Sequence, residues 1–302
     1  MTPATTVRPP QRRLPASPLA LWWTAARPRT LPAAIAPVIV GTAIAAAAHA
    51  FRPLVALAAL LGAVWIQIGT NFANDYFDWK HGADAARQGP LRVTQAGLVT
   101  GRQMRVAIAI AFAAATACGV SLVAAAGWPV VAIGVLSILA GLAYTGGPWP
   151  LGYHGLGELF VLLFFGVVAV CGTYYVQARA VTPLALALSI PVGLLSVAIL
   201  VVNNLRDEAS DRASGKRTLV VRHGGRFGRA EWFAAVGVAF AVPLLLVATR
   251  RLEPPALFVL GALALVPSLA RTVSGPRPGP ALAGTSRLLL VYAFLLSAGL
   301  LL

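Results

Sequence analysis

The sequence predicts an all-α fold, a polytopic bundle of about nine membrane-spanning helices. Three observations predict it. Of 302 residues, 58% are hydrophobic and only 11% charged, with a mean hydropathy of +0.79; a soluble domain carries roughly a quarter charged residues. Apolar runs long enough to cross a bilayer recur from residue 31 to the last residue, 302. The alternating ten-residue amphipathic pattern of a transmembrane barrel is absent.

Residues 1–20 hold Arg8, Arg12, Arg13 and several prolines without a long apolar core. This composition predicts a disordered basic tail, not a cleaved signal peptide. Residues 21–302 then form a single membrane domain. Its apolar spans fall at about 31–50, 54–73, 106–126, 129–144, 159–176, 184–203, 232–249, 256–270 and 288–302. The fourth, eighth and ninth are short for a bilayer core of about 30 Å. Pro129, Pro183, Pro254 and Pro255 precede spans, where proline suits a helix start. Pro191 and Pro243 lie inside spans and are candidate kinks.

The net charge of +15 would point to nucleic acid in a soluble protein. Here the basic residues lie between apolar runs, so the expected partners are membrane lipid headgroups or a phosphorylated substrate, with no nucleic acid and no obligate protein partner. With the N-terminus in the cytoplasm and nine alternating helices, twenty of the 24 Lys and Arg residues fall on cytoplasmic segments. That asymmetry follows the positive-inside rule and puts the C-terminus outside. Cys118 and Cys171 lie apart inside apolar runs without metal-ligand spacing, and are read as small core residues.

Six of the nine acidic residues fall in two clusters, each closing an apolar span. The first runs Asn71-Phe-Ala-Asn74-Asp75-Tyr-Phe-Asp78, with Asp84 beyond it. The second runs Asn203-Asn204-Leu-Arg206-Asp207-Glu208-Ala-Ser-Asp211. Residues four apart share a helix face, so Asn71/Asp75, Asn74/Asp78, Asn203/Asp207 and Asp207/Asp211 form ridges of oxygen ligands. A single such Asp serves equally well as a helix cap paired with an interfacial Arg. Two matched clusters on one membrane face, four helices apart, point instead to a divided cation site. Mg²⁺ is typically held by one or two carboxylates plus substrate phosphates. Two facing ridges suit a diphosphate clamped through Mg²⁺, with Mn²⁺ as a possible substitute. Arg92, Arg206, Lys216 and Arg217 are placed to neutralise remaining charge. The stretch 214–229 is not a P-loop, since it lacks the Gly-x4-Gly-Lys-Ser/Thr spacing.

These segments carry a family resemblance. Asn74-Asp75-Tyr-Phe-Asp78 with Asp84, and Asn204-Leu-Arg-Asp207-Glu-Ala-Ser-Asp211, resemble the two aspartate motifs of the UbiA superfamily of membrane prenyltransferases. Gly89-Pro-Leu-Arg92-Val-Thr-Gln-Ala-Gly97, Tyr144-Thr-Gly-Gly-Pro-Trp-Pro-Leu-Gly-Tyr153-His154-Gly-Leu-Gly-Glu158 and Arg212-Ala-Ser-Gly-Lys216-Arg217-Thr-Leu-Val-Val-Arg222 resemble the branch that prenylates 1,4-dihydroxy-2-naphthoate in menaquinone synthesis. Residues 85–88 lack the acid often found after Asp84 in that branch.

The resemblance implies helices around a central cavity, with the polyprenyl tail in its apolar part and the diphosphate at the cytoplasmic end. It implies Mg²⁺-assisted transfer from polyprenyl diphosphate to 1,4-dihydroxy-2-naphthoate with loss of CO₂, giving demethylmenaquinone. Expected metal ligands are Asn74, Asp75, Asp78, Asp207 and Asp211. Expected substrate contacts are Asn71, Asn74, Arg92, Tyr144, Asn203, Asn204, Lys216 and Arg217. Asp84 is a candidate base toward a naphthol hydroxyl or an orienting group for the acceptor. Phe72, Tyr144, Tyr153 and Phe160 are candidates either to face an allylic cation or to anchor at the interface. Glu158 suits a helix N-terminus as well as it suits substrate contact. His154 reads as a surface residue. A different aromatic acceptor, such as 4-hydroxybenzoate or homogentisate, is the nearest alternative. A cation transporter is the alternative of another class, although transporter sites usually lie near the bilayer midplane.

Overall fold

The computed structural model describes residues 15–82 and 91–302. The first 14 residues of the expected tail, and Asp84, lie outside the described residues. Every one of the nine apolar spans is helical, with most ends longer than the hydropathy implied. Ser17 caps α1 (Pro18–Ala26), accepting from the Ala20 amide at 3.2 Å. Helix α1 therefore starts inside the stretch expected to be tail. It is followed by α2 (Pro32–Ala47), α3 (Pro53–Lys80), α4 (Gly101–Ala126) and α5 (Pro129–Ala143). Then come α6 (Gly157–Ala178), α7 (Pro183–Ala213), the short α8 (Leu219–His223), α9 (Gly225–Ala248), α10 (Pro254–Ser274) and α11 (Ala281–Leu300). No strand occurs among the described residues. Seven of these helices are long and apolar enough to cross a membrane. The α1–α2 pair adds an eighth candidate span, bent by 56°, and α5 is a shorter apolar helix of 15 residues. The chain is a multi-pass membrane protein.

Several starts follow the sequence directly. Proline opens α1, α2, α3, α5, α7 and α10, where its missing N–H costs nothing. Thr100 and Gln103 close a capping box on α4. Pro191 and Pro243 do not end their helices; α7 and α9 run on through them.

Helix α7 is the axis of the bundle, with 72% of its most apolar window enclosed. Its Leu188, Val192, Leu195 and Val201 join Val40 of α2, Trp232 of α9 and Leu288 and Tyr292 of α11 in the main core. A second core joins α1, α3 and α4 to Val93 and Val99 of the 91–100 segment. The cavity lies between the α3–α4–α5 group and the α2–α6–α7 group.

Close helix crossings depend on small residues. A Cβ on Gly166 would stand 2.8 Å from Ser189 O and 2.9 Å from Gly193 Cα. That crossing lies within the π-helical stretch Leu162–Val168. A Cβ on Gly41 of α2 would stand 2.6 Å from Val170 O and 2.8 Å from Thr173 Cβ of α6. Gly41→Val is therefore expected to destabilise the bundle by about 1–3 kcal/mol or more. Thermal unfolding in detergent checks this; an unchanged transition would contradict the crossing.

Candidate active site

Both acidic clusters sit on the final turns of their helices, α3 and α7, and both open into one cavity of about 590 Å³. On α3 the cavity face carries Gln67, Thr70, Asn71, Asn74 and Asp78. On α7 it carries Asn203, Asn204, Asp207 and Asp211. Away from this polar end the lining becomes apolar, through Ile66, Ala63 and Ala59 of α3, Val38 of α2, Val123 of α4 and Val176 of α6. From Asp78 to Ala59 the wall follows α3, a rise of roughly 28 Å at about 1.5 Å per residue.

Asp78 is the hub. It is 2% exposed, and it accepts from three separate connecting segments. Arg92 donates to Oδ2 at 3.0 Å, while the Tyr153 hydroxyl at 2.7 Å and Lys216 Nζ at 3.0 Å donate to Oδ1. Lys216 Nζ also lies 3.7 Å from Asp211 Oδ1 and 4.7 Å from the centre of the Tyr153 ring. One ammonium thus stands between the first acidic cluster and the second. Asp207 is gripped by both arms of Arg206, at 2.7 and 2.6 Å, and the same guanidinium donates to Asn203 Oδ1 at 2.7 Å. Every cavity carboxylate therefore has a cationic partner, as charges removed from water require.

Local chain geometry sets these groups. Gly215 adopts φ +78°, a left-handed conformation that favours glycine. The resulting turn returns the Lys216 amide to Asp211 O at 2.9 Å. Next to it, the Arg217 amide donates to Tyr153 O at 2.8 Å and Arg222 donates to His154 O at 2.8 Å. These bonds stitch the 144–157 connection to the segment after α7. The Arg92 segment is fixed by buried Val93 and Val99 and by the Thr94 amide, which donates to Asp75 Oδ1 at 3.2 Å.

Of the residues singled out from sequence, Asn71, Asn74, Asp78, Arg92, Tyr144, Asn203, Asn204, Asp207, Asp211 and Lys216 line this cavity. Asp75 and Arg217 are not on its wall. Asp75 is 1% exposed and turned to the Arg92 segment. The Arg217 side chain is exposed, and its ordered bond is made by its backbone. Asn71 spends its amide on the α1–α2 bend, donating to Ala26 O at 2.8 Å and Thr30 Oγ1 at 3.1 Å. It thereby satisfies a buried carbonyl at the end of α1. His154 stacks on Trp149 at 4.1 Å and does not line the cavity.

Among the cavity residues that escaped the sequence reading as polar contributors are Arg27, Gln67, Thr145 and the hydroxyl of Tyr153. Arg27 occupies a left-handed turn at φ 54° and lines the cavity. Its place between the tail and the first span, next to Pro28, was the available signal. Thr145 donates to Asn74 Oδ1 at 2.7 Å. The Tyr144 phenol is pushed above its ordinary range by desolvation first, then by the carboxylates of Glu158, Asp211 and Asp78. Phe160 and Phe164, stacked with centroids 5.9 Å apart, complete an aromatic stretch of wall.

No three His, Cys, Asp or Glu side chains converge as a metal cage among the described residues. The donor set still fits a hard cation such as Mg²⁺, which is usually bound through one or two carboxylates with phosphate oxygens and waters completing the shell. The carboxylates available on the cavity wall for such a cation are Asp78 of α3 and Asp207 and Asp211 of α7.

Comparison with known proteins agrees with this architecture. The chain is 39% identical over 285 residues to the 1,4-dihydroxy-2-naphthoate octaprenyltransferase of Mycobacterium tuberculosis (strain ATCC 25618 / H37Rv), covering 93% of this chain and 97% of that one. It is 45% identical over 210 residues to the enzyme of the same name from Escherichia coli (strain K12), covering 67% and 68%. A solved UbiA homolog from Archaeoglobus fulgidus, bound to GPP and Mg²⁺, shares the fold with a TM-score of 0.66 at 16% identity, over 92% of this chain and 99% of that one. Residues 34–301 match the UbiA prenyltransferase family. With two acidic helix ends opening on one apolar cavity, and a family match over nearly the whole chain, this protein belongs to the UbiA prenyltransferase family.

Proposed function

We propose that this chain transfers a polyprenyl group from polyprenyl diphosphate to 1,4-dihydroxy-2-naphthoate, as its relatives' names describe. The observation that carries the reading is the Lys216 ammonium standing between Asp78 and Asp211. It marks a point where both clusters converge on positive charge, at the polar end of a largely apolar cavity.

A divalent cation, Mg²⁺ or Mn²⁺, when bound, supplies Lewis-acid neutralisation of the departing diphosphate. Asp78, Asp207 and Asp211 would hold it, with Asn74 beside them. Asp75 is assigned to holding the turn that carries Arg92. Lys216 and Arg92 donate to diphosphate oxygens, exchanging their carboxylate partners for the ligand. As the C–O bond to diphosphate breaks, negative charge grows on the leaving oxygen, where fixed cations stabilise it. Tyr144 and Phe160, both on the cavity wall, are the candidates to attract the allylic cation through their ring faces, each worth about 0.5–2 kcal/mol; the Tyr153 ring already carries the Lys216 ammonium. The apolar wall excludes the water that would quench it. The ring carbon bearing the carboxylate bonds to the prenyl carbon, and the carboxylate departs as CO₂. The product is demethylmenaquinol, the reduced form of demethylmenaquinone. Asp84 is retained as the candidate to orient the acceptor, and Asn71, Asn203, Asn204 and Arg217 as contacts within or bordering the site.

The acid-bearing end is assigned to the cytoplasm and the C-terminus to the outside, because twenty of the 24 basic residues then fall inside. Purified protein incubated with farnesyl diphosphate, Mg²⁺ and a panel of aromatic acids tests the acceptor by mass of product. Prenylated naphthoquinol with loss of 44 mass units (CO₂) is expected. Products only from 4-hydroxybenzoate or homogentisate would overturn the assignment.

A further inference from the structure

Glu158 does not line the cavity, yet it is a carboxylate only 8% exposed within a membrane helix, a costly placement. Its position in the first turn of α6 suits the helix dipole. The dipole accounts for a tolerated charge but not for the partner. Glu158 Oε1 accepts from Asn204 Nδ2 at 2.9 Å. Asn204 is itself 5% exposed and does line the cavity. This is its one side-chain hydrogen bond among the described residues.

An amide side chain has a donor end and an acceptor end. With the donor end held by an anion, Oδ1 is directed away from Glu158. The other cavity asparagines are set differently. Thr145 donates to Asn74 Oδ1, Arg206 donates to Asn203 Oδ1, and Gln67 donates to Asn71 Oδ1 at 3.4 Å. Among the described residues, Asn204 is the one asparagine of the two clusters whose oxygen receives no hydrogen bond. It lies one helical turn from Asp207 on the same α7 face.

We propose that Glu158 is a positioning residue, whose carboxylate holds the Asn204 amide so that Oδ1 faces the cavity as a neutral oxygen ligand for the divalent cation accompanying the diphosphate. The inference rests on the reading that a metal–diphosphate pair occupies this end of the cavity. It follows the logic by which a carboxylate behind a ligand fixes its orientation; loss of such a support typically costs 10–100-fold in metal affinity.

The test is a calorimetric titration of Mg²⁺ into detergent-purified protein saturated with farnesyl thiolodiphosphate, a probe whose C–S bond resists ionisation. Unfolding by circular dichroism runs alongside on each variant. Glu158→Ala and Asn204→Ala are each expected to weaken Mg²⁺ binding by about 10–100-fold, and the double variant no further than either. Glu158→Gln keeps an oxygen for Asn204 Nδ2 and should stay within about threefold of the starting protein. Wild-type affinity in Glu158→Ala, or losses that multiply in the double variant, would overturn the proposal. If Glu158→Ala does not fold, Asn204→Ala decides: unchanged Mg²⁺ affinity in it overturns the proposal, and a tenfold loss with Glu158→Gln near wild type sustains it. No acceptor is present, so a wrong acceptor assignment leaves this result intact. A wild-type protein that binds Mg²⁺ no better with the diphosphate probe than without would fault the underlying reading instead.

Discussion

Replacing Asp78 by alanine is expected to lower prenyl transfer by on the order of 10³-fold. The same change should loosen three connections at once. Arg92, Tyr153 and Lys216 all donate to this carboxylate. Breaking a buried pair by removing one partner typically costs about 3–5 kcal/mol, because the remaining charge stays buried. Asp78→Ala should therefore also show faster proteolysis in the 91–100 and 214–218 segments. Asp78→Asn separates the two effects. It keeps an oxygen that accepts from Tyr153 while removing the negative charge. Its turnover should fall nearly as far, with a smaller loss of stability. Asp207→Ala acts on the opposite wall and should lose turnover to a similar degree, since Arg206 would lose its bidentate partner. Stopped-time product assays beside melting curves check all three. Near-wild-type turnover in both Asp78→Asn and Asp207→Ala would refute the divided site.

Chelation is expected to abolish turnover, with recovery on adding Mg²⁺ in excess and partial recovery with Mn²⁺. The reason lies in charge balance. The cavity carboxylates are matched by the chain's own cations, Arg92, Arg206 and Lys216. A diphosphate entering alone would meet Asp78, Asp207 and Asp211 as like charges. Entering with a divalent cation, it gives each carboxylate a new partner and frees Lys216 and Arg92 for its own oxygens. Binding of farnesyl diphosphate should thus weaken markedly in chelator, seen by calorimetry without any acceptor. Full turnover in chelator would contradict the metal-dependent reading. Liposomes that passed cations through this protein without prenyl substrate would favour a transporter.

Hydropathy made the bundle legible because a membrane helix must be almost uniformly apolar, whatever its neighbours. The acidic clusters were legible for the complementary reason, that carboxylates near lipid need a purpose. Finer assignments depended on contacts that spacing does not encode. Asp75 and Asp78 lie three residues apart on α3, yet Asp78 meets the cavity and Asp75 meets the Thr94 amide of a distant segment. Lys216 and Arg217 are adjacent, and the turn at Gly215 sends only the first inward. Arg206 appeared as one of several bases near a diphosphate, whereas its geometry commits it to Asp207 and Asn203. From sequence Glu158 suits a helix dipole and a substrate contact equally; the structure gives it Asn204 as partner. Helix ends extend past the apolar runs because Asn and Asp, with Lys80 in α3 and Arg206 and Arg212 in α7, lower hydropathy in the last turns without ending the helix.

The divided site requires a cation held between the α3 and α7 carboxylates. Anomalous diffraction from crystals grown with Mn²⁺ and farnesyl thiolodiphosphate tests it most directly. The expected peak lies between Asp78 and the Asp207–Asp211 ridge, bridged to the diphosphate, with the farnesyl chain running toward Ala59. A peak outside the cavity, or a diphosphate bound with Asp78 still paired to Lys216 and no metal beside it, would contradict the account.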